Sequence, residues 1–412
     1  MAEPHGRVEL HCHLDGSIPP STLLRISQQR SLALPGLGGR VPESTNDIWT
    51  ALRSMGAVWR WFDLVNEIIG GDEATLADIA EEFVHRQAAE NISYTEVRWD
   101  PVRPSRSSLA NASIPVASAV RAVALGLRRG SEARGVEVYQ LLCAMRGAPA
   151  QACYDLASLV NETRSGELGG VVGMDLAGDE YHFNNSVGEV QACFADAKTR
   201  LRLNTTVHAG EMADDEYSDV SSAVLAMHAD RVGHGYAAIQ NSGVVSMLRQ
   251  RGVPLEACPA GHHDNLHATD EYRREGLNFG LSTDDPASYF ANVTMSDVER
   301  LVTSQLGFTA ADVASAHRRA YSARFAPDAA RIVGLWRSGG SSSRGVADAV
   351  TAAVVATLVS AVASVIAAIV GATLVQLVKK RWRRSPRARA KQKASAAAIG
   401  LPDEVASTTT QL

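Results

Sequence analysis

Cysteine is scarce in this chain of 412 residues: Cys12, Cys143, Cys153, Cys193 and Cys258 are odd in number and scattered, mostly inside apolar or helix-like stretches. That spacing argues against a disulfide framework and predicts a reducing compartment. No apolar segment of the secretory kind precedes the first strand-like run, which begins within the first ten residues, so no cleaved leader is expected. Absent too is a glycine-rich phosphate turn after that run, where the chain reads His13-Leu14-Asp15-Gly16-Ser17. An open doubly wound sheet would be expected to carry such a turn. What is present is 45% hydrophobic residues, enough for one large barrel with additions.

Short apolar runs rich in Val, Leu and Thr occur at Val8–His13, Ser93–Trp99, Val136–Met145, Val171–Leu176, Asn204–His208, Asp230–His234, Pro254–Cys258 and Leu277–Thr283. Between most of them lie stretches with helical spacing, such as Thr75–Ala89 and Ser118–Arg129. The chain therefore reads as repeated strand–helix units, predicted to close into an α/β, TIM-type (β/α)8 barrel over residues 1–337. In such a barrel the C-terminal ends of the strands form the active-site face.

His11 and His13 stand at i and i+2 in the first run, so a strand projects both from one face. Alone they would read as two unrelated strand histidines. They are joined by His208 in Val-His-Ala-Gly-Glu, His234 in Arg-Val-Gly-His-Gly, and Asp284 and Asp285 in Ser-Thr-Asp-Asp-Pro, each at the end of an apolar run. His11, His13, His208 and Asp284 make a nitrogen and oxygen set suited to zinc with one position left for water, whose pKa such a metal lowers toward about 7. Glu211, three residues after His208, is placed to give a proton to a substrate. His234 is placed to take one from water or to orient it. Asp285 is expected to point away from Asp284 along the strand and to hydrogen-bond the substrate.

At these residues the sequence resembles the adenosine deaminase family. The matching strings are His11–Ser17 (HCHLDGS), Glu96–Pro101 (EVRWDP), Leu141–Arg146 (LLCAMR), Asp175–Glu180 (DLAGDE), Val207–Glu211 (VHAGE), Arg231–Gly235 (RVGHG), Leu255–Pro259 (LEACP) and Ser282–Pro286 (STDDP). They run in the family's order over about residues 7–335, including an Arg324–Pro327 region that resembles its last helix. The resemblance implies hydrolytic removal of the 6-amino group of a purine, giving inosine or a related product plus ammonia. It implies zinc on His11, His13, His208 and Asp284, with His13 also touching substrate. It implies Glu211 as the acid at purine N1, His234 as base or orienting group, Asp285 facing N7, the Gly178 amide facing N3, and Asp15 on the ribose. Two departures bear on the substrate: after Pro259 this chain carries His262, His263 and His267 where the family has a small polar turn, and Ser282 where it often has Asn.

The last 75 residues are of different material. Gly339–Ser343 lies in an expected flexible linker, 338–348, and no charged residue occurs from Ala349 to Val378. Thirty residues of helix reach about 45 Å against a hydrocarbon core of about 30 Å, so 349–378 is predicted to span a membrane as a C-terminal anchor. A buried or Ala-rich surface helix is the alternative. A basic flank at 379–393 and a disordered tail to 412 follow, suited to anionic headgroups. Counting positive charge puts the tail in the cytoplasm; the missing leader and the cysteines put the enzyme there instead. Residues 338–412 carry ten Lys/Arg against three Asp/Glu, a net of +7, which leaves −12 on the remainder of a chain of net −5. Ala363, Ala367 and Gly371, with Ser360, Ser364, Ala368 and Ala372 alongside, give a small-residue face on which two copies could pair. The tail lacks the aromatic interleaving of a specific nucleic-acid binder.

Two functional classes fit these features. One is a membrane-tethered zinc aminohydrolase for adenosine or a close analogue, or for adenine or another modified purine; the other is a nucleoside sensor on a deaminase-like barrel. A sensor has no need of both the metal set and the proton donor Glu211.

Overall fold

Strands buried on both faces read as near-continuous apolar runs, and the eight runs named above form such strands. A computed structural model describes residues 6–56, 59–184, 188–211, 216–261, 263–287 and 292–326. Its strands are β1 (Arg7–His13), β2 (Ile92–Trp99), β3 (Arg106–Ser107), β4 (Ala112–Ser113), β5 (Glu137–Met145), β6 (Val171–Ala177), β7 (Thr205–Ala209), β8 (Arg231–His234), β9 (Leu255–Ala257) and β10 (Phe279–Leu281). β3 and β4 pair with each other in a small antiparallel sheet. The other eight form one sheet in the order β1-β2-β5-β6-β7-β8-β9-β10, with every pair parallel. This is a nearly closed parallel barrel surrounded by helices, consistent with the TIM type.

The seam is closed by Asp284, which lies beyond the end of β10. Its N–H donates to the His11 carbonyl at 3.0 Å and its carbonyl accepts from His13 N–H at 2.9 Å. The backbone of Asp284 sits at φ +67°, a left-handed conformation that Asp tolerates better than most residues.

Twelve helices occur among the described residues. The first crossover is more elaborate than one strand–helix unit: α1 (Pro20–Gln29), α2 (Thr45–Ser54), α3 (Trp59–Ile69) and α4 (Glu73–Ala89) all lie between β1 and β2. Each start has local causes. Pro20 opens α1, a reciprocal Ser44–Asp47 capping box opens α2, and Asp72 accepts from Thr75 N–H at 2.9 Å to open α4. The expected helices at 75–89 and 118–129 appear as α4 and as α5 (Val116–Arg134), both longer than their apolar stripe. α6 (Ala150–Thr163), α7 (Gly188–Thr199), α8 (Tyr217–Leu225), α9 (Ser242–Arg251), α10 (His263–Arg274), α11 (Met295–Leu306) and α12 (Ala310–Ser322) follow.

Two readings need correction. Cys153 of α6 and Cys193 of α7 form a disulfide across 40 residues of sequence, so the cysteines no longer argue for a reducing compartment. Neighbouring outer helices bring the two Cα atoms to 6.3 Å, a proximity set by tertiary packing that spacing along the chain does not display. Cys12, Cys143 and Cys258 are free and buried. The second correction concerns the region around Arg324: α12 ends at Ser322, and Phe325 then plugs the barrel floor. The Arg231 guanidinium stacks on its ring at 3.6 Å, and its N–H donates to Glu96.

The expected linker at 338–348, the span at 349–378 with its pairing face, and the tail at 379–412 lie outside the described residues, as does His262. Among the described residues, no helix is long and apolar enough to cross a membrane.

Candidate active site

Inward parity on β1 places the rings of His11 and His13 5.5 Å apart at the C-terminal mouth of the barrel. β7 brings His208 to them: His13 Nε2 and His208 Nε2 are 3.3 Å apart, and the His11 and His208 ring centres 4.6 Å. Asp284 completes the group, with Oδ1 at 3.3 Å from His11 Nε2 and 3.6 Å from His13 Nε2. His234, the last residue of β8, is held at φ +60° with Nε2 4.0 Å from Asp284 Oδ2.

These atoms point to a metal by what they lack. His11 Nε2 and both ring nitrogens of His234 are buried without a hydrogen-bond partner. An orphaned imidazole nitrogen beside a carboxylate and two more imidazoles is costly unless a cation takes the lone pairs. The opposite nitrogens are engaged: His11 Nδ1 meets Glu256 Oε2 at 2.8 Å and His208 Nδ1 meets Asp175 Oδ2 at 3.0 Å. Such partners fix the tautomer and turn each Nε2 inward, as at known metal-binding histidines. Cys258 Sγ also lies near His11, His234 and Asp284, where burial, then the charge of Asp284, pushes its thiol up.

The partners Glu256 and Asp175 belong to a buried ionic layer below the histidines. Arg98 donates to Asp175 at 2.9 Å and to Glu256 at 2.6 Å, while Arg231 donates to Glu256 and Glu96, each at 2.7 Å. Burial works against ionised Glu256, yet Arg98 and Arg231 hold its carboxyl well below the usual range. None of these roles was assigned from the sequence. The signal was there, because a charge inside a doubly buried parallel strand must be paired.

Above the histidines lies a cavity of about 280 Å³ whose walls include His13, Asp15, Gly178, His208, Glu211, Asp284 and Asp285. Strand alternation does not place two of them. Asp15 is not on β1 but opens a 3₁₀ turn, Asp15–Ser17, and Asn66 Nδ2 holds its carboxylate at 2.9 Å. Asp284 and Asp285 do not point in opposite directions: both line the cavity, because the left-handed turn at Asp284 breaks strand alternation. Gly16 makes room for this, since a Cβ there would lie 1.7 Å from Asp285 Oδ1. Burial, reinforced by Asp284, Asp15 and Glu211, pushes the Asp285 carboxyl well above its usual range. Burial sends His234 well below its ordinary value, with His11 adding to the effect. Asp100, also on the wall, is pushed up to about 6 by burial.

The adenosine deaminase family model matches residues 6–333. An adenosine deaminase of Mus musculus is 31% identical over 341 residues, covering 78% of this chain and 93% of that protein. Among solved structures, an amidohydrolase from Burkholderia ambifaria with bound zinc is similar at TM-score 0.67 and 22% identity over 81% of this chain and 89% of the other. The N6-methyl-AMP deaminase of Arabidopsis thaliana is similar at TM-score 0.64 and 25% identity, over 81% and 97%.

Proposed function

The chain belongs to the adenosine deaminase family and is therefore an aminohydrolase, and from that premise we propose that it deaminates adenosine, or a close adenine nucleoside, to inosine and ammonia. The observation that supports this most is that His11 and His13 each approach both His208 and Asp284, under a cavity that also presents Glu211 and Asp285. These four residues would hold zinc, which supplies the Lewis acidity that makes water nucleophilic near neutral pH.

The residues of the chain then divide the proton work. Purine N7 has a lone pair and no hydrogen, so its partner must bring the proton; Asp285, on the cavity wall with Oδ1 buried and unpartnered and its carboxyl pushed up by burial, is the group placed to do so. Glu211 gives a proton to N1, drawing electron density from C6. Water adds to C6 as His234 takes one of its protons; His234 then passes that proton to the amino group, the hydroxyl on C6 gives its own to Glu211, and the C6–N bond breaks, so that ammonia leaves and both side chains are restored. The amide of Gly178, on the cavity wall, donates to N3. Asp15, braced by Asn66, accepts from a sugar hydroxyl. A sensor would leave Glu211 without a task.

The cations of the cavity favour an unphosphorylated substrate. Arg103 is taken up by Asp63 at 3.3 Å and Asp100 at 3.6 Å, and Arg146 donates to the carbonyls of Phe183 at 2.9 Å and of His208. A phosphate would meet mainly carboxylates, and like charges brought together cost several kcal/mol. The full-length, zinc-loaded chain should turn over adenosine at least about 100-fold more efficiently than AMP or adenine. Ammonia release from a panel of bases, nucleosides and nucleotides measures this, and faster turnover of AMP overturns it.

We also infer, from the uncharged run 349–378 and its basic flank, that the chain is tethered to a membrane. Full-length protein should sediment with membranes and leave them only in detergent. Recovery in the soluble fraction removes the tether.

A further inference from the structure

Glu180 has a place in the site that the reaction does not yet use. It is the last residue of the Asp175–Glu180 string, two residues after Gly178, and its side chain is 4% exposed. It does not line the cavity. Its carboxylate turns instead toward the end of β7, where Oε1 accepts from Gly210 N–H at 2.8 Å and Oε2 from Glu211 N–H at 3.1 Å. Gly210 adopts φ +60° there, and a Cβ on it would come within 2.8 Å of Ala237 and Val220, so the turn that aims Glu211 is tightly boxed. Arg146 closes the arrangement: it lies 3.8 Å from Glu180 Oε1 and donates to the carbonyl of His208, on the strand that Glu211 follows.

We propose that Glu180 is a positioning residue that ties the loop after β6 to the loop after β7, and so fixes the gap between the Gly178 amide and the Glu211 carboxyl. The six-membered ring of the purine is gripped across that gap on either side of C2, N3 by one loop and N1 by the other. A carboxylate suits the task because two N–H groups converge on it and it accepts both. A glutamine of the same shape accepts one and turns its own N–H₂ toward the other, leaving a buried donor unpaired. Proton transfer from Glu211 to N1 depends on reach, so a small shift of that loop is felt in turnover more than in binding.

The inference rests on Glu211 as proton donor, and a double-mutant comparison separates the two claims. In the full-length, zinc-loaded chain, Glu180→Gln should lower kcat on adenosine by about 10- to 100-fold, with KM changed less than about 3-fold and zinc content unchanged. Placed on Glu211→Gln, the same substitution should cost less than about 3-fold more, because a residue that acts through Glu211 has nothing left to position. A purely structural glutamate would cost the same in both backgrounds. Multiplying effects with a slow Glu211→Gln overturn the inference alone; wild-type turnover by Glu211→Gln overturns the reading of Glu211 and the inference with it. Should Glu180→Gln not fold, Glu180→Asp carries the same comparison. Failure of both to fold assigns Glu180 to the fold and ends the proposal.

Discussion

Glu211→Gln should keep its zinc and its fold and lose about 10²–10⁴-fold in turnover, the range in which a positioned general acid acts. The substitution is nearly isosteric, and Glu211 is outside the metal group, so nothing that holds the ion is touched. What changes is the proton: a carboxylic acid can transfer one to N1, and an amide cannot. Loss of transfer with binding retained appears as a fall in kcat at nearly constant KM. Steady-state ammonia release beside metal analysis checks both halves. Turnover near wild type would show that N1 is protonated by another group.

Asp284→Asn should lose the metal. The residue serves twice, as an oxygen donor beside three imidazoles and as the backbone bridge that closes the barrel, so the substitution has to spare the second role. Asparagine tolerates left-handed φ about as well as aspartate, whereas alanine at φ +67° would add roughly 1–2 kcal/mol of strain. With the backbone kept, the loss is of a charged ligand. Burial opposes ionised Asp284, and the His11, His234 and His13 rings together more than offset it, holding the carboxyl well below its usual range. Zinc retained after dialysis should fall well below one per chain, and turnover should fall at least about 100-fold, in line with metal-site substitutions. Stoichiometric zinc in Asp284→Asn would contradict the four-residue assignment.

The barrel was legible because a doubly buried parallel strand writes itself as an apolar run. All eight runs became barrel strands, although the run at 277–283 yields only three residues of strand, Phe279–Leu281. The chemistry was legible for a related reason, since His11, His13, His208 and His234 stand at strand ends where function concentrates. Less visible was whatever depends on turns. The placement of Asp15 and the shared facing of Asp284 and Asp285 follow from a 3₁₀ turn and a positive φ, which a two-residue alternation cannot express. Glu256, Asp175, Arg98 and Glu180 act through partners 25 or more residues away, so their roles appear only once the strands are side by side. The same holds for Cys153 and Cys193.

The central claim is that this chain performs metal-dependent hydrolytic deamination of a nucleoside. Its most direct test is ammonia released per adenosine consumed by the full-length protein, before chelation, after it, and after zinc is restored. One ammonia and one inosine per adenosine, lost with chelator and regained with zinc, is the expected result. Adenosine bound and returned unchanged by the zinc-loaded protein would contradict the account.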